Sequence, residues 1–511
     1  MSKFEDFREK YKTFLYKGYE INETPEELGI VYHFEVPGLG SFAPTWTFPK
    51  QPGDTRVYRE NGTVHNIVFS LGMVELVSYW KTVCPPQVIV EAGSLNSEQR
   101  AWWKKLYYHG LGEFFYTNGI DLTDEHFFDD FMTISCTPIR KKAEKNVSSD
   151  DSATFSELNS CAMPASAPVS ENSSVTGSAL TGSITVTKQN PAMFPESPLT
   201  GNTRILIPVG GGKDSAVTIE LLKKTGRMLG CYIINPRGAT VGTVKTAGFS
   251  ADQVITPKRT LDPFMLECNR NGCLNGHTPY SSIVSFSATL AAYMHGYSYI
   301  ALSNESSANE STVPGSTVNH QYSKSFEYEA DFHTYEAKYV RSNTYYFSLL
   351  RPLSEFQIGK YFSKCTQYHP VFRSCNVGSK DDVWCGHCPK CLFVTCILSP
   401  FLSRAEITEI FGTYMLDDRA MQTTLWQLVG RVDVKPFECV GSRDEANTAL
   451  VLTIEKMEQA GETLPVLLAE YKKTNLYPEY VRRGDLFSSY FNETNLVPAD
   501  LIDIVKENCV G

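Results

Sequence analysis

The sequence predicts an α/β protein, a parallel sheet with helices on both faces, preceded by a mixed α+β region and followed by a helical one. Three observations carry this. Apolar strand-length runs alternate with helix-length segments from Arg204 to Asn304, polar or glycine-rich clusters follow the strands, and a Ser-, Thr-, Ala- and Pro-rich stretch divides this region from an aromatic-rich one before it.

In chain order, the aromatic-rich region spans residues 1–140. "GIVYHFEVPGLGSFAPTWTFPK" reads as a strand and a Gly/Pro turn, "HNIVFSLGMVELVSYWKTV" as a buried helix, and "QVIVEAG" as a short buried strand. "NSEQRAWWKKLYYHGLGEFFYTNGI" reads as a capped helix whose aromatic side chains supply core. Residues 141–200 carry too little apolar surface to offset the entropy of ordering and are expected to be a disordered linker or insertion. From 201 to 400, "RILIPV", "CYIIN" and "YIALSN" are strands alternating with helices "SAVTIELLKKTGRML" and "SSIVSFSATLAAYMHG", which implies βαβ crossovers and a parallel sheet. "GGGKDS", "NPRG" and "SNESSANE" then fall at the carboxyl ends of the strands, where such sheets bind ligands. Residues 401–511 are expected to be helical, with "LSRAEITEIFG" and "RDEANTALVLTIEKMEQAGETLPVLLAEY" the clearest helices.

Composition narrows the function classes. A formal net charge of −10 on 511 residues disfavours a nucleic-acid backbone binder, which needs a dense basic face, but leaves small anionic substrates open. The amino-terminal segment has no apolar signal region, and no run of about 18 apolar residues follows, so a cytoplasmic protein without a membrane partner is expected. Fourteen cysteines in such a chain point to reduced thiols, some on metal.

The stretch "RILIPVGGGKDSAVTIELLKK" resembles a phosphate-binding loop, yet a Walker A loop would have Gly where Ile207 stands and Ser or Thr where Asp214 stands. Gly210, Gly211 and Gly212 let the backbone approach an anion, and the helix that follows offers free N–H groups and the positive end of its dipole. Ser215 can add a hydroxyl donor and Lys213 a charge, while Asp214 can cap the helix or hold a divalent cation.

A second motif, "RSCNVGSKDDVWCGHCPKC", places Cys375, Cys385, Cys388 and Cys391 at C-x9-C-x2-C-x2-C. Two successive C-x2-C steps present thiolates to one point, and four sulfurs complete a closed tetrahedral zinc site of structural type. Buried thiols or an iron–sulfur cluster are the alternatives; Cys365 and Cys396 are alternative outer ligands, and His387 is expected to face solvent.

The glycine loop resembles the PP-loop of the ATP pyrophosphatase superfamily, S-G-G-x-D-S, with Gly210 replacing the first Ser. That resemblance implies an adenine nucleotide alpha hydrolase-like sheet and attack at the α-phosphate of ATP. Among PP-loop families with a four-cysteine knot, the 7-cyano-7-deazaguanine synthases are short and lack an equivalent of the first 140 residues. "ELVSYWKTVCPPQVIVEAG", "GLGEFFYTNGI", "GGGKDS", "LSNESSANES", "VNHQYSKSFEYE", "CGHCPKCLFV" and "KPFECVGS" instead resemble segments of the UDP-N-acetylmuramoyl-L-alanyl-L-glutamate epimerase, or MurL, family. The resemblance covers both folded regions and omits the Ser-rich stretch.

It implies an isomerase of peptidoglycan precursor synthesis that uses ATP and Mg²⁺ to convert the terminal L-Glu of a UDP-linked muramoyl dipeptide to D-Glu, releasing AMP and pyrophosphate. On this account Gly210, Gly211, Gly212, Lys213, Asp214 and Ser215 bind ATP, with Asn235 near adenine and Lys213 neutralising the α-phosphate. Asn304, Glu305, Asn309, Glu310 and Asn319 serve substrate or Mg²⁺, and His320, Tyr322 and Lys324 are donors and proton carriers. Glu305, Cys273, His277, Lys435, Glu438 and Cys439 are further candidates for the epimerising base, and no spacing rule chooses among them. Two other readings stay open: another PP-loop adenylating enzyme, of the deazaguanine or tRNA-thiolating kind, and a non-catalytic nucleotide-binding protein. The oligomeric state is left open.

Overall fold

Strict alternation builds the first sheet. The computed structural model describes residues 2–122, 124, 126–136, 203–309 and 318–511, which form one compact unit; the expected linker over 141–200 and the candidate Glu310 lie outside the described residues. Strands β1 (Thr13–Glu23), β2 (Glu27–Val36), β3 (Gly40–Phe42) and β4 (Thr45–Pro49) form antiparallel pairs β1–β2, β2–β3 and β2–β4. Alternate residues of β2, Leu28, Ile30, Tyr32, Phe34 and Val36, are buried on one face, as a period of two requires. β5 (Gln87–Val90) and β6 (Thr133–Cys136) continue the sheet in parallel beyond β1. Strand β1 has no counterpart in the sequence reading, because its distal half, "YKGYEINE", mixes charge with glycine; pairing with β2 makes it a strand.

The expected buried helix is Gly62–Trp80, capped by the Asn61 side chain accepting from the Val64 N–H. The next, Ser97–Gly110, begins with a reciprocal Asn96–Gln99 capping box.

The second sheet has five parallel strands, β7 (Arg204–Pro208), β8 (Met228–Tyr232), β9 (Val254–Ile255), β11 (Tyr299–Leu302) and β12 (Tyr345–Ser348), ordered β12-β11-β7-β8-β9. The intervening β10 (Lys258–Thr260) leaves this sheet and pairs antiparallel with β4, so the first sheet is completed by a strand from beyond residue 200. Alternation again assigns faces. Leu206, Tyr232, Ile300 and Tyr346 point into the core shared with the amino-terminal region, whereas Ile205, Ile207, Cys231, Ala301 and Phe347 point into a second core shared with the carboxy-terminal helices.

The helix Arg404–Phe411, closed by Gly412 in the left-handed region, follows the sequence reading, whereas the single long helix expected over 443–471 is two, Arg443–Gln459 and Val466–Lys472, divided by Gly461 at φ +69 and by Pro465. Among the described residues no helix is long and apolar enough to cross a membrane.

From β7 the chain moves outward to β8 on one side and later to β11 on the other. This reversal opens a crevice between the carboxyl ends of β7 and β11.

Candidate active site

The glycine loop stands at that crevice. Gly211 has φ +81, and a Cβ there would come 2.9 Å from both the carbonyl carbon and the Cβ of Ala239, so glycine is required for conformation and for space. Gly212 caps the helix Lys213–Lys223 without a side chain, leaving its first N–H groups for an anion. The Arg373 N–H donates to the Gly211 carbonyl at 2.8 Å, which ties the loop to the segment that leads into the cysteine motif.

Lys213 is a fixed charge: its side chain is 2% exposed and touches both the Asp214 and Glu355 carboxylates. Despite the cost of burial, these two carboxylates hold Lys213 above the usual lysine range. Burial pushes Glu355 upward, with Lys213 opposing it. Ser215 donates its hydroxyl to the Gly212 carbonyl at 3.0 Å.

The loop after β11 forms the opposite wall. Asn304 donates to the Ser348 hydroxyl at 3.0 Å, and Glu305 is buried beside it. Asn309 accepts from the Phe326 N–H at 2.8 Å, while Asn319 accepts from Gln321 N–H and donates to the Ala308 carbonyl, so these two close loops. Arg351, fully buried against Glu329 at 3.1 Å, donates to the Glu305 carbonyl at 2.6 Å and to that of Lys324. One guanidinium thereby holds two candidate site segments together. A cavity of about 380 Å³ at this end of β11 is lined by residues including Ser306, Ser307, Ser354 and Glu445.

Lys324 also opens a chain of titratable groups. His320 binds the Glu113 carboxylate through Nδ1 and faces Cys439 Sγ through Nε2 at 3.7 Å, and Lys324 Nζ donates to the same sulfur at 3.2 Å. His277 adds a second imidazole, 3.4 Å from Glu113, with its ring centroid 4.6 Å from that of His320. Burial alone would raise the Cys439 thiol, but Lys324, His320 and Lys390 hold it down to about 6. Burial would lower His320, yet Cys439 and Glu113 hold it up at about 9. Burial and the neighbouring His320 depress His277 to about 3.

The loop carrying Cys439 is closed by Lys435, which donates to the Gly441 carbonyl at 2.9 Å, and Glu438 accepts from Asn376. Lys324 and Lys390 act electrostatically on both Asp214 and Cys439, joining this chain to the glycine loop.

Cys375, Cys385, Cys388 and Cys391 converge, with sulfur atoms within 4.8 Å of one another and close pairs at 3.4 and 3.7 Å. Tetrahedral zinc with bonds of about 2.3 Å sets its sulfurs about 3.8 Å apart, so the group fits a closed zinc site. Backbone N–H groups of Gly378 and Cys391 face the Cys375 and Cys388 sulfurs at 3.2 and 3.5 Å, as thiolates need. Cys365 and Cys396 lie outside this group, and His387 is exposed with Nδ1 on the Cys385 carbonyl at 2.7 Å.

Other expected site residues have contacts of their own. Asn235 is exposed, with φ +49, and its amide exchanges two hydrogen bonds with the backbone of Arg259, latching β10. Tyr322 packs its ring on His109 and Tyr328, and Cys273 accompanies Cys268. Glu113, Glu355, Arg351 and Lys390 carry no signal in the sequence. Glu113 sits inside an aromatic run and Lys390 between two cysteines, where each reads as an ordinary surface charge.

Comparison with known proteins matches the model of the MurL N-terminal domain over residues 5–153 and 171–349, and that of the MurL C-terminal domain over 371–477. The unmatched residues 154–170 fall within the Ser-rich stretch. A protein of Xanthomonas oryzae pv. oryzae named UDP-N-acetyl-alpha-D-muramoyl-L-alanyl-L-glutamate epimerase is 31% identical over 400 residues, covering 76% of this chain and 74% of its own. A Salinispora tropica protein of the same name is 36% identical over 263 residues, covering 50% of this chain and 57% of its own.

Proposed function

The chain belongs to the MurL family, and from that premise we propose that it inverts the terminal L-Glu of UDP-MurNAc-L-Ala-L-Glu to D-Glu through an acyl-adenylate, consuming ATP and releasing AMP and pyrophosphate. The α-hydrogen of a free carboxylate is hardly acidic, because the carbanion would sit beside a negative charge. Transfer of AMP to the carboxylate cancels that charge and leaves an activated acyl group, from which a side-chain base takes the proton. Hydrolysis of the adenylate then makes the inversion irreversible.

Each part of the crevice has a role in this reading. The backbone of Gly210, Gly211 and Gly212, with Ser215 and the start of the helix Lys213–Lys223, receives the ATP phosphates in a PP-loop arrangement. Asp214, with Glu305 across the crevice, would hold Mg²⁺, which when bound neutralises phosphate charge. Lys213, fixed by Glu355, stabilises the five-coordinate α-phosphate. Cys375, Cys385, Cys388 and Cys391 would hold zinc, whose role is to fix the segment behind the glycine loop. Residues 201–400 are then the ATP-binding region, flanked by 1–140 and 401–511. The observation that carries the reading is the uncapped glycine loop at the topological switch point, with Lys213 held there between the Asp214 and Glu355 carboxylates.

The test is incubation with ATP, Mg²⁺ and UDP-MurNAc-L-Ala-L-Glu in D₂O. Substrate-dependent AMP and D-Glu deuterated at Cα are expected; absence of both with folded protein contradicts the assignment. Asp214→Ala is expected to lose AMP formation while keeping its fold.

A further inference from the structure

Inversion at Cα needs a basic side chain that is not sealed in the core and can meet substrate. Lys324 touches the Cys439 sulfur, and His320 is pinned between that sulfur and Glu113. Tyr322 is enclosed in aromatic core. Cys439, by contrast, is half-buried on a loop fixed at both ends, its sulfur facing an ammonium and an imidazole.

A metal held by Glu113, His277 and His320 is the other use of these groups, since their ligand atoms lie close together. The geometry disfavours it: both ring nitrogens of His320 are engaged, and Lys81 and Lys324 add positive charge beside His277.

Resting on the adenylate reading above, we propose that Cys439 is the catalytic base that removes the Cα proton, with His320 and Glu113 as the positioning pair that orients its sulfur. The sulfur takes the proton, the C–H electron pair passes into the acyl carbonyl as an enolate, and Cys439 becomes a thiol. Water protonates the opposite face of Cα, and the thiol returns its proton to solvent. The net change is one Cα hydrogen exchanged for a solvent hydrogen, with no other bond altered in this step.

The full chain with Cys439→Ser, compared with the unaltered protein in D₂O, tests this through two readouts. Substrate-dependent AMP formation, with hydroxylamine trapping of the activated acyl group, is expected to stay within a few-fold. Deuterium entry at Cα and D-Glu formation are expected to fall by about 100-fold or more. Retained deuterium entry in Cys439→Ser overturns the proposal, as does loss of AMP formation together with exchange, which would place the thiol in adenylation. Absence of AMP in the unaltered protein instead removes the adenylate reading, and the proposal with it. Should Cys439→Ser misfold, alkylation of the native chain by iodoacetamide replaces it. Protection of Cys439 by ATP and substrate, with exchange lost and AMP formation kept on modification, is expected; exchange that survives full modification of Cys439 overturns the proposal.

Discussion

Cys439 meets charge from every side: Lys324 from the turn Tyr322–Lys324, His320 backed by Glu113 and His277, Lys390 from the helix Pro389–Leu398, and Glu438 on its own loop. With the thiol at about 6 and His320 at about 9, the proposed proton transfer needs the state in which the first has lost its proton and the second has kept it. The rate of Cα exchange, measured as kcat/KM against pH, should therefore rise through about pH 6 and fall through about pH 9. Glu113→Gln removes a charge that favours the imidazolium, so the upper limb should move to lower pH while AMP formation persists. Of this group, His320, Lys324, His277, Glu438 and Cys439 are candidates in the sequence, whereas Glu113 and Lys390 are not. Their relation was not readable, because 119 positions separate Cys439 from His320 and 207 separate His320 from Glu113, and only folding joins them.

At the scale of elements, the strand–glycine–helix order of the loop and the convergence of the four cysteines were both readable, because each is a local pattern. Their mutual support was not: the Arg373 N–H on the Gly211 carbonyl links them through the backbone, which no side-chain pattern signals. Gly211→Ala places a Cβ against Ala239 at positive φ, so it should cost about 1–3 kcal/mol, seen as a lowered Tm, and should weaken ATP binding by calorimetry. Cys388→Ser removes one of four sulfurs, and is expected to abolish bound zinc in elemental analysis, lower Tm and raise the KM for ATP. The alternating strand β2 and the continuous apolar strand β7 follow the sequence reading. Strand β1 does not, since its charged distal half becomes a strand only through its neighbour.

For the whole molecule, the two folded regions share a sheet as well as a core. Glu75, buried on the helix Gly62–Trp80, accepts from Arg259 on β10 at 2.8 Å and from Trp46 on β4 at 2.7 Å. Removing one member of such a pair leaves an uncompensated buried charge, so Arg259→Ala should destabilise the protein by about 3–5 kcal/mol in denaturant unfolding. No local motif announces this pairing, because Lys258–Thr260 is too short to read as a strand and its partner, Thr45–Thr47, lies far earlier in the chain. The pairing fixes β10, and with it Asn235 at the end of β8, on the same structure that carries the glycine loop.

The central claim is that this assembly activates a carboxylate as an adenylate, and the fate of the carboxylate oxygen tests it most directly. With the terminal α-carboxylate of UDP-MurNAc-L-Ala-L-Glu labelled with ¹⁸O, mass spectrometry of the AMP released in single turnover should find one ¹⁸O in its phosphate, because the bridging oxygen leaves with AMP. AMP free of label, with D-Glu still produced, would contradict the account.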